Sequence, residues 1–180
     1  MAVIRAATRA DAPEISAVQR AAWVAAYSDL ISAEIIDRVT APDDGARIRQ
    51  TFRTRPWQRM TVGVDPDSGR VLGYASYGPE VDVLGTLWPH PMTSAGAAGE
   101  VAELYALYVH PDWWSAGTGT ALMSGVLAHT ARYPVTTLWV LEGNARARAF
   151  YERCGFSADG AVHVLDALGG VPEVRYRRRA

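Results

Sequence analysis

The chain has 180 residues, 49% of them hydrophobic and 21% charged, with a formal net charge of −1. That is enough chain for one sizeable core, and the composition excludes a disordered or fibrous protein. The near-zero charge argues against nucleic-acid binding through phosphate contacts. A single cysteine, Cys154, excludes an intramolecular disulfide and a cysteine-rich metal site.

The opening residues, Met1 to Arg5, lack the long apolar core of a secretory signal, and no apolar run reaches the ~20 residues of a membrane-spanning helix. A cytoplasmic protein that does not enter membranes is the expectation. Val3 to Thr8 reads as a short strand. Asp11, followed by Ala12 and Pro13, has the chemistry of a helix start, a capping carboxylate and then proline in the first turn. The helix carries Ile15, Val18 and Ala22 on one side and runs toward Tyr27. A second helix is expected after Ser32, with Ile35, Ile36 and Val39, and a third after Thr40, with Pro42 near its start.

From Arg59 the period becomes that of strands. Met60 to Val64 and Arg70 to Tyr77 flank Asp65-Pro66-Asp67-Ser68-Gly69, a connection rich in turn formers. Gly78 to Gly99 is irregular and reads as a loop, a candidate wall for an acceptor site. Glu103 to Val109 is a strand ended by His110-Pro111-Asp112, and Gly117 to Ala131 is helical. Thr136 to Leu141 is a strand. Ala145 to Cys154 is a helix stopped by Gly155 in the position of a C-terminal cap. Phe156 to Ala158, Ala161 to Leu165 and Val174 to Arg178 complete the sheet. The order is a single mixed α/β domain over residues 1–180.

The chemistry-bearing segment is Trp114-Ser115-Ala116-Gly117-Thr118-Gly119-Thr120, between a strand and a helix. A helix start at a sheet edge offers free N–H groups at the positive end of the helix dipole, a site for phosphate or pyrophosphate. Gly117 and Gly119 let the backbone approach the anion. A P-loop needs Gly-Lys-Ser/Thr, and no lysine stands here. A dinucleotide fingerprint wants a glycine where Leu122 stands and an acidic residue about twenty positions on, and Thr137 to Leu141 supplies none.

The passage Glu103-Leu-Tyr-Ala-Leu-Tyr-Val-His-Pro-Asp-Trp-Trp-Ser-Ala-Gly-Thr-Gly-Thr-Ala-Leu resembles the strand, pyrophosphate loop and helix of the GNAT N-acetyltransferase superfamily. A second passage, Leu138 to Asn144 followed by Ala149-Phe150-Tyr151-Glu152-Arg153-Cys154-Gly155-Phe156, resembles that family's next strand, asparagine and "Phe-Tyr-x-x-x-Gly-Phe" helix end. The two occur in the family's order and spacing. The resemblance implies a single-domain fold with a mixed central sheet of about seven strands, splayed in the middle and flanked by helices.

It also implies acetyl-CoA as co-substrate, no metal, and transfer of acetyl to a primary amine by direct attack in a ternary complex. Backbone groups of Leu107, Tyr108 and Val109 would pair with the pantetheine arm. Ser115, Ala116, Gly117, Thr118, Gly119 and Thr120 would hold the pyrophosphate, and Asn144 would touch the cofactor. The family usually has Arg or Gln where this chain has Trp114, so a guanidinium contact is missing from the loop. Tyr151 stands at the position of the acid that protonates the departing thiolate, beside the cofactor. Glu103, fourteen positions before Gly117, is the candidate base at the open end of the splay, with Glu100 and Glu142 weaker substitutes. Some family members carry a glutamate on the next strand where Trp139 stands here. The oxyanion would rest on a backbone N–H of the Leu107–Val109 strand.

Trp23, Tyr27 and Asp29 lie where the family builds its acceptor pocket; aromatic walls with a carboxylate suit a cation. The acceptor is a small amine, polyamine or protein amine, with a homodimer left open. A non-catalytic acyl-CoA sensor with the same fold is the alternative. Cys154 is expected to be a small buried thiol. His90, His110, His129 and His163 show no metal-ligand spacing and are expected at the surface or in loops. Gly73 to Gly78 resembles a nucleophile elbow but is one residue too long and sits within a strand. Arg175 to Arg179 is expected to form a solvated last strand.

Overall fold

A computed structural model describes residues 1–80 and 100–180. Seven strands form one sheet in the order β1-β2-β3-β4-β5-β7-β6. They are β1 (Val3–Ala6), β2 (Arg59–Val64), β3 (Val71–Pro79), β4 (Val101–Val109), β5 (Val135–Leu141), β6 (Ser157–Leu165) and β7 (Val171–Arg179). The helices are α1 (Ala12–Tyr27), α2 (Ala33–Val39), α3 (Ala46–Thr54), α4 (Thr118–Thr130) and α5 (Ala145–Arg153). Every neighbouring pair is antiparallel except β4 and β5. Those two run parallel and stay in register only from Val101 to Leu104 against Val135 to Leu138. Beyond Leu104 they part, and this splay organises the site.

Both sheet faces are covered. Leu104, Val109, Leu122, Met123, Val126, Leu138, Tyr151 and Tyr176 form the core beneath α4 and α5. On the other face Ile15 and Val18 of α1 pack on Val62, Val71 and Tyr74. Trp23 joins Ile31, Ile36, Leu141, Leu165 and Leu168 beside the splay. A register shift between Ser76 and Tyr77 leaves Tyr105 as an extra residue in β4, a bulge that bends the strand where it leaves β5.

Several local expectations change. Asp11 does not cap α1. Thr8 and Asp11 instead form a capping box around the single turn Arg9–Asp11, and the Asp11 carboxylate accepts from the Arg5 guanidinium at 2.6 and 2.8 Å and from the Thr8 N–H at 2.7 Å. The third helix starts later than Pro42 predicts, because Asp43 accepts from Arg47 N–H at 2.9 Å and Gly45 enters it with a φ of 77°. The two short strands expected near 156–165 are one, with a register shift between Ala158 and Val162. The basic tail is no solvated strand: Arg175 is buried and bonded to Asp159 at 2.8 Å, and Tyr176 is buried and donates to Glu152 at 2.8 Å. Gly73 to Gly78 lies within β3, as expected. Of the expected loop 78–99, Gly78 and Pro79 belong to β3, and residues 81–99, His90 among them, lie outside the described residues.

Candidate active site

The β4 edge that faces the splay supplies the backbone of the site. His110 N–H donates to Leu72 O at 2.8 Å, across a pair in which Val109 faces Gly73 and Tyr108 faces Tyr74. In an antiparallel ladder the bonded pairs alternate, so Tyr108 spends its backbone groups on β3. Leu107 and Val109 turn theirs toward the gap left by β5. Of the three residues expected to pair with the pantetheine arm, two therefore offer backbone groups, and Tyr108 brings its ring instead. Trp114 Nε1 donates to Val109 O at 2.8 Å, which takes up that carbonyl and leaves the Val109 N–H.

The loop after β4 closes with Ser115 at a φ of 63° and Gly117 at 84°. Gly117 caps α4, and no side chain caps that helix start. Ala121 N–H is bonded to Gly117 O at 3.0 Å. The N–H groups of Thr118, Gly119 and Thr120 thus precede the first intrahelical acceptors. These amides open on a cleft of about 570 Å³, whose walls include Leu107, Tyr108, Val109, Trp114, Ser115, Gly117, Gly119, Thr120 and Asn144. Thr118 is buried, its methyl against the position of Gly63, and Ala116 is exposed outside the lining, so both can serve an anion only through the backbone. No group of three or more metal-ligating side chains occurs among the described residues.

Asn144 is the N-cap of α5, where its side-chain oxygen accepts from Ala147 N–H at 3.0 Å. The end of α5 is a Schellman turn: Phe156 N–H bonds Tyr151 O at 3.1 Å and Gly155 N–H bonds Glu152 O at 3.0 Å, with Gly155 at a φ of 84°. This stop holds Tyr151 against Phe150 and Phe156, with ring centroids 5.4 and 6.2 Å away. Its hydroxyl is held well above the usual phenol range, first by burial and then by the nearby Tyr108 and Cys154. Cys154 is half-buried at the helix end, and burial raises its thiol in turn.

The guanidinium absent from the loop comes from elsewhere. Arg146, in the first turn of α5, stacks its guanidinium 4.0 Å from the centroid of the Trp114 ring, and both line the cleft. Spacing within the loop gave no sign of it, because the contact crosses from α5 to the loop.

A second, smaller cavity of about 70 Å³ lies in the splay. Its walls include Trp23, Tyr27, Tyr108, Trp139, Tyr151 and Glu173. Trp23 and Tyr27 meet edge to face at 4.9 Å, and burial holds the Tyr108 phenol above its usual range. Tyr27, Leu107 and Tyr108 line both spaces, so the inner cavity adjoins the cleft at these residues. Of the expected acceptor residues, Trp23 and Tyr27 stand in the inner cavity, whereas Asp29 is exposed on the outer cleft. Glu103 is 4% exposed, faces Thr137 inside the closed part of the β4–β5 ladder, and is outside the residues that line either space. It therefore does not stand at the open end of the splay. His163, expected at the surface, is half-buried on β6 with its Nδ1 3.0 Å from Glu173 Oε1. His110 accepts from Asp112 N–H at 3.4 Å, the expected turn. His129 packs edge-on against Tyr77.

The chain belongs to the acetyltransferase (GNAT) family, whose model matches residues 23–156. It is therefore an acyltransferase of the N-acetyltransferase type, and the family uses acetyl-CoA. It is 26% identical over 178 residues to a probable N-acetyltransferase of Mycobacterium tuberculosis, covering 97% of this chain and 91% of the relative. A further N-acetyltransferase of that organism, described as uncharacterized, is 30% identical over 153 residues, 83% of this chain and 85% of its own. Among solved structures, the fold matches PaiA N-acetyltransferase of Thermoplasma acidophilum in complex with coenzyme A, at a TM-score of 0.70 and 14% identity, over 100% of this chain and 99% of that one. It also matches ribosomal-protein-alanine N-acetyltransferase of Brucella melitensis, at a TM-score of 0.71 and 22% identity, over 99% of both chains. No helix among the described residues is long and apolar enough to cross a membrane.

Proposed function

We propose that this enzyme moves an acetyl group from acetyl-CoA to a primary amine by direct attack within a ternary complex. The observation that carries the proposal is adjacency. One cleft runs from the uncapped start of α4 to the splay, where it meets a cavity walled by Tyr151. The first-turn amides of α4 fit a pyrophosphate, with Arg146 adding a cation at the cleft wall. Leu107 and Val109 fit the amide groups of the pantetheine arm as an added strand would.

Acetyl-CoA supplies an activated thioester carbonyl. The Val109 N–H, or that of Leu107, can donate to a developing oxyanion in the splay. Tyr151 is protonated at neutral pH, and it can deliver its proton to the departing thiolate because the burial that raises the phenol also raises the basicity of a thiolate formed beside it. Nothing in this sequence of steps needs a covalent enzyme intermediate or a metal.

Calorimetric titration with acetyl-CoA, paired with free-thiol release in the presence of ethylamine, putrescine and an alanine-starting hexapeptide, tests the reading. Binding with amine-dependent thiol release is the expected result. Binding without release across the panel would favour the sensor, and no binding would overturn the cofactor assignment.

A further inference from the structure

Glu173 carries no sequence signal, yet its carboxylate is the acidic group in the wall of the inner cavity. It sits on β7 between Leu141 of β5 and His163 of β6, and is 4% exposed. Six aromatic side chains, Trp23, Tyr27, Tyr105, Tyr108, Trp139 and Tyr151, share the cavity with it. Its charge is felt by the Tyr108 phenol, and Tyr151 lines the same space. Rings and one carboxylate around a small void form a receptor for an ammonium group. A space of about 70 Å³ admits the amino head of an acceptor rather than the body of a polyamine.

The other side of Glu173 leads outward. Its Oε1 is 3.0 Å from His163 Nδ1, and the side chains are 5% and 27% exposed respectively. The pair thus spans the distance from the cavity to the surface. Among the charged groups on this part of the sheet, Arg175 is bonded to Asp159 and stands 5.8 Å from the centroid of the Trp139 ring, and Glu103 is paired with Thr137 in the closed ladder.

We propose that Glu173 is the carboxylate that binds the acceptor's ammonium group and takes its proton, and that His163 passes this proton to solvent. The inference rests on the acetyl-transfer reading above and names its base. The balance is simple. An N–H bond of the ammonium breaks, its electron pair stays on nitrogen, and the proton binds a Glu173 oxygen. That proton then moves to His163 Nδ1, and the imidazolium loses a proton to water, restoring the carboxylate. The freed amine attacks the thioester carbon and the C–S bond breaks; Tyr151 gives its proton to sulfur and regains one from the acylated nitrogen, so the products are a neutral amide and a thiol. Glu173 touches substrate and is a catalytic residue; His163 acts through it and is a positioning residue.

The test uses the full chain and ethylammonium as probe, read by NMR of the Tyr108 and Trp139 rings. Wild type is expected to show saturable shifts, and Glu173→Gln to weaken the apparent Kd at least tenfold with Tm and acetyl-CoA affinity preserved. In turnover, Glu173→Gln should lower kcat/KM for ethylamine about a hundredfold or more near pH 7, with much of the loss recovered above the amine's own pKa of roughly 10. His163→Gln should lower kcat about tenfold at unchanged amine KM, with rescue by added imidazole; this second variant keeps the idea testable if Glu173→Gln does not fold. Wild-type ethylammonium binding by Glu173→Gln, or the binding and pH effects appearing in Glu103→Gln instead, would overturn the assignment. Failure of acetyl-CoA to bind wild type would remove the proposed function separately, because the ethylammonium shifts do not depend on the cofactor.

Discussion

The outer cleft and the inner cavity adjoin at Tyr27 and Tyr108, but they are made in different ways. The cleft is built mainly from backbone: the α4 amides, the free edge of β4, and a loop bent by Ser115 and Gly117 in left-handed conformations. The cavity is built from side chains of α1, β4, β5, α5 and β7, brought together by register and by the parting of two strands. A backbone site needs contiguous residues that permit a particular trace. A side-chain site needs only that distant positions share a face. The first tolerates changes of side chain and the second does not, which suits a shared cofactor and an acceptor that varies among enzymes.

Substitutions at the two regions should therefore have different signatures. The largest expected effect is in the cavity: Tyr151→Phe should lower kcat by about ten- to a thousandfold while acetyl-CoA affinity stays nearly constant. An unchanged kcat, with chemistry shown to limit the rate, would remove the acid role and with it the cavity's claim to be catalytic. Next in size is the cleft cation that stacks on Trp114, Arg153 being the other arginine of the lining. Arg146→Ala should weaken coenzyme A binding about three- to tenfold, with kcat retained and a shallower salt dependence of Kd. Equal losses in wild-type and variant affinity on adding salt would show that the guanidinium only stacks on Trp114.

The smallest effect, outside both regions, checks that catalytic losses are not stability losses in disguise. Asp11 is held well below the usual carboxylate range, first by the Arg5 hydrogen bond, with Thr8 adding to it and burial opposing. A depressed pKa means the folded state favours the carboxylate. The stabilisation is present above the unfolded value near 3.9 and is lost as pH falls from there toward the folded value. Because the Arg5 side chain is 41% exposed, its pairing is screened, and Asp11→Asn should cost about 1–2 kcal/mol at pH 7. Thermal unfolding should show a Tm lower by roughly 3–8 °C at pH 7, a gap that narrows below about pH 4. A gap independent of pH would assign the cost to packing instead. Acetyl-CoA affinity should not change.

By itself the sequence determined the family, the order of strands and helices, the anion-binding helix start and the place of Tyr151 at a glycine-stopped helix end. These features are local: a glycine at positive φ, a capping asparagine or a helix N-terminus depends on a few neighbouring residues. The first helix starts at Asp11 as expected, but that carboxylate serves a guanidinium on β1 rather than the helix, and the third helix starts later than Pro42 suggests, at Gly45; such choices are made by packing. Glu103 looked catalytic by spacing, and Arg146, Glu173 and His163 carried no signal. Tertiary structure decided their positions: the β4–β5 ladder closes over Glu103, α5 lays Arg146 on Trp114, and the antiparallel register of β6 and β7 sets His163 beside Glu173 at the splay. Sheet register joins residues that no sequence spacing relates, and the acceptor side of this enzyme is made almost entirely of such pairs.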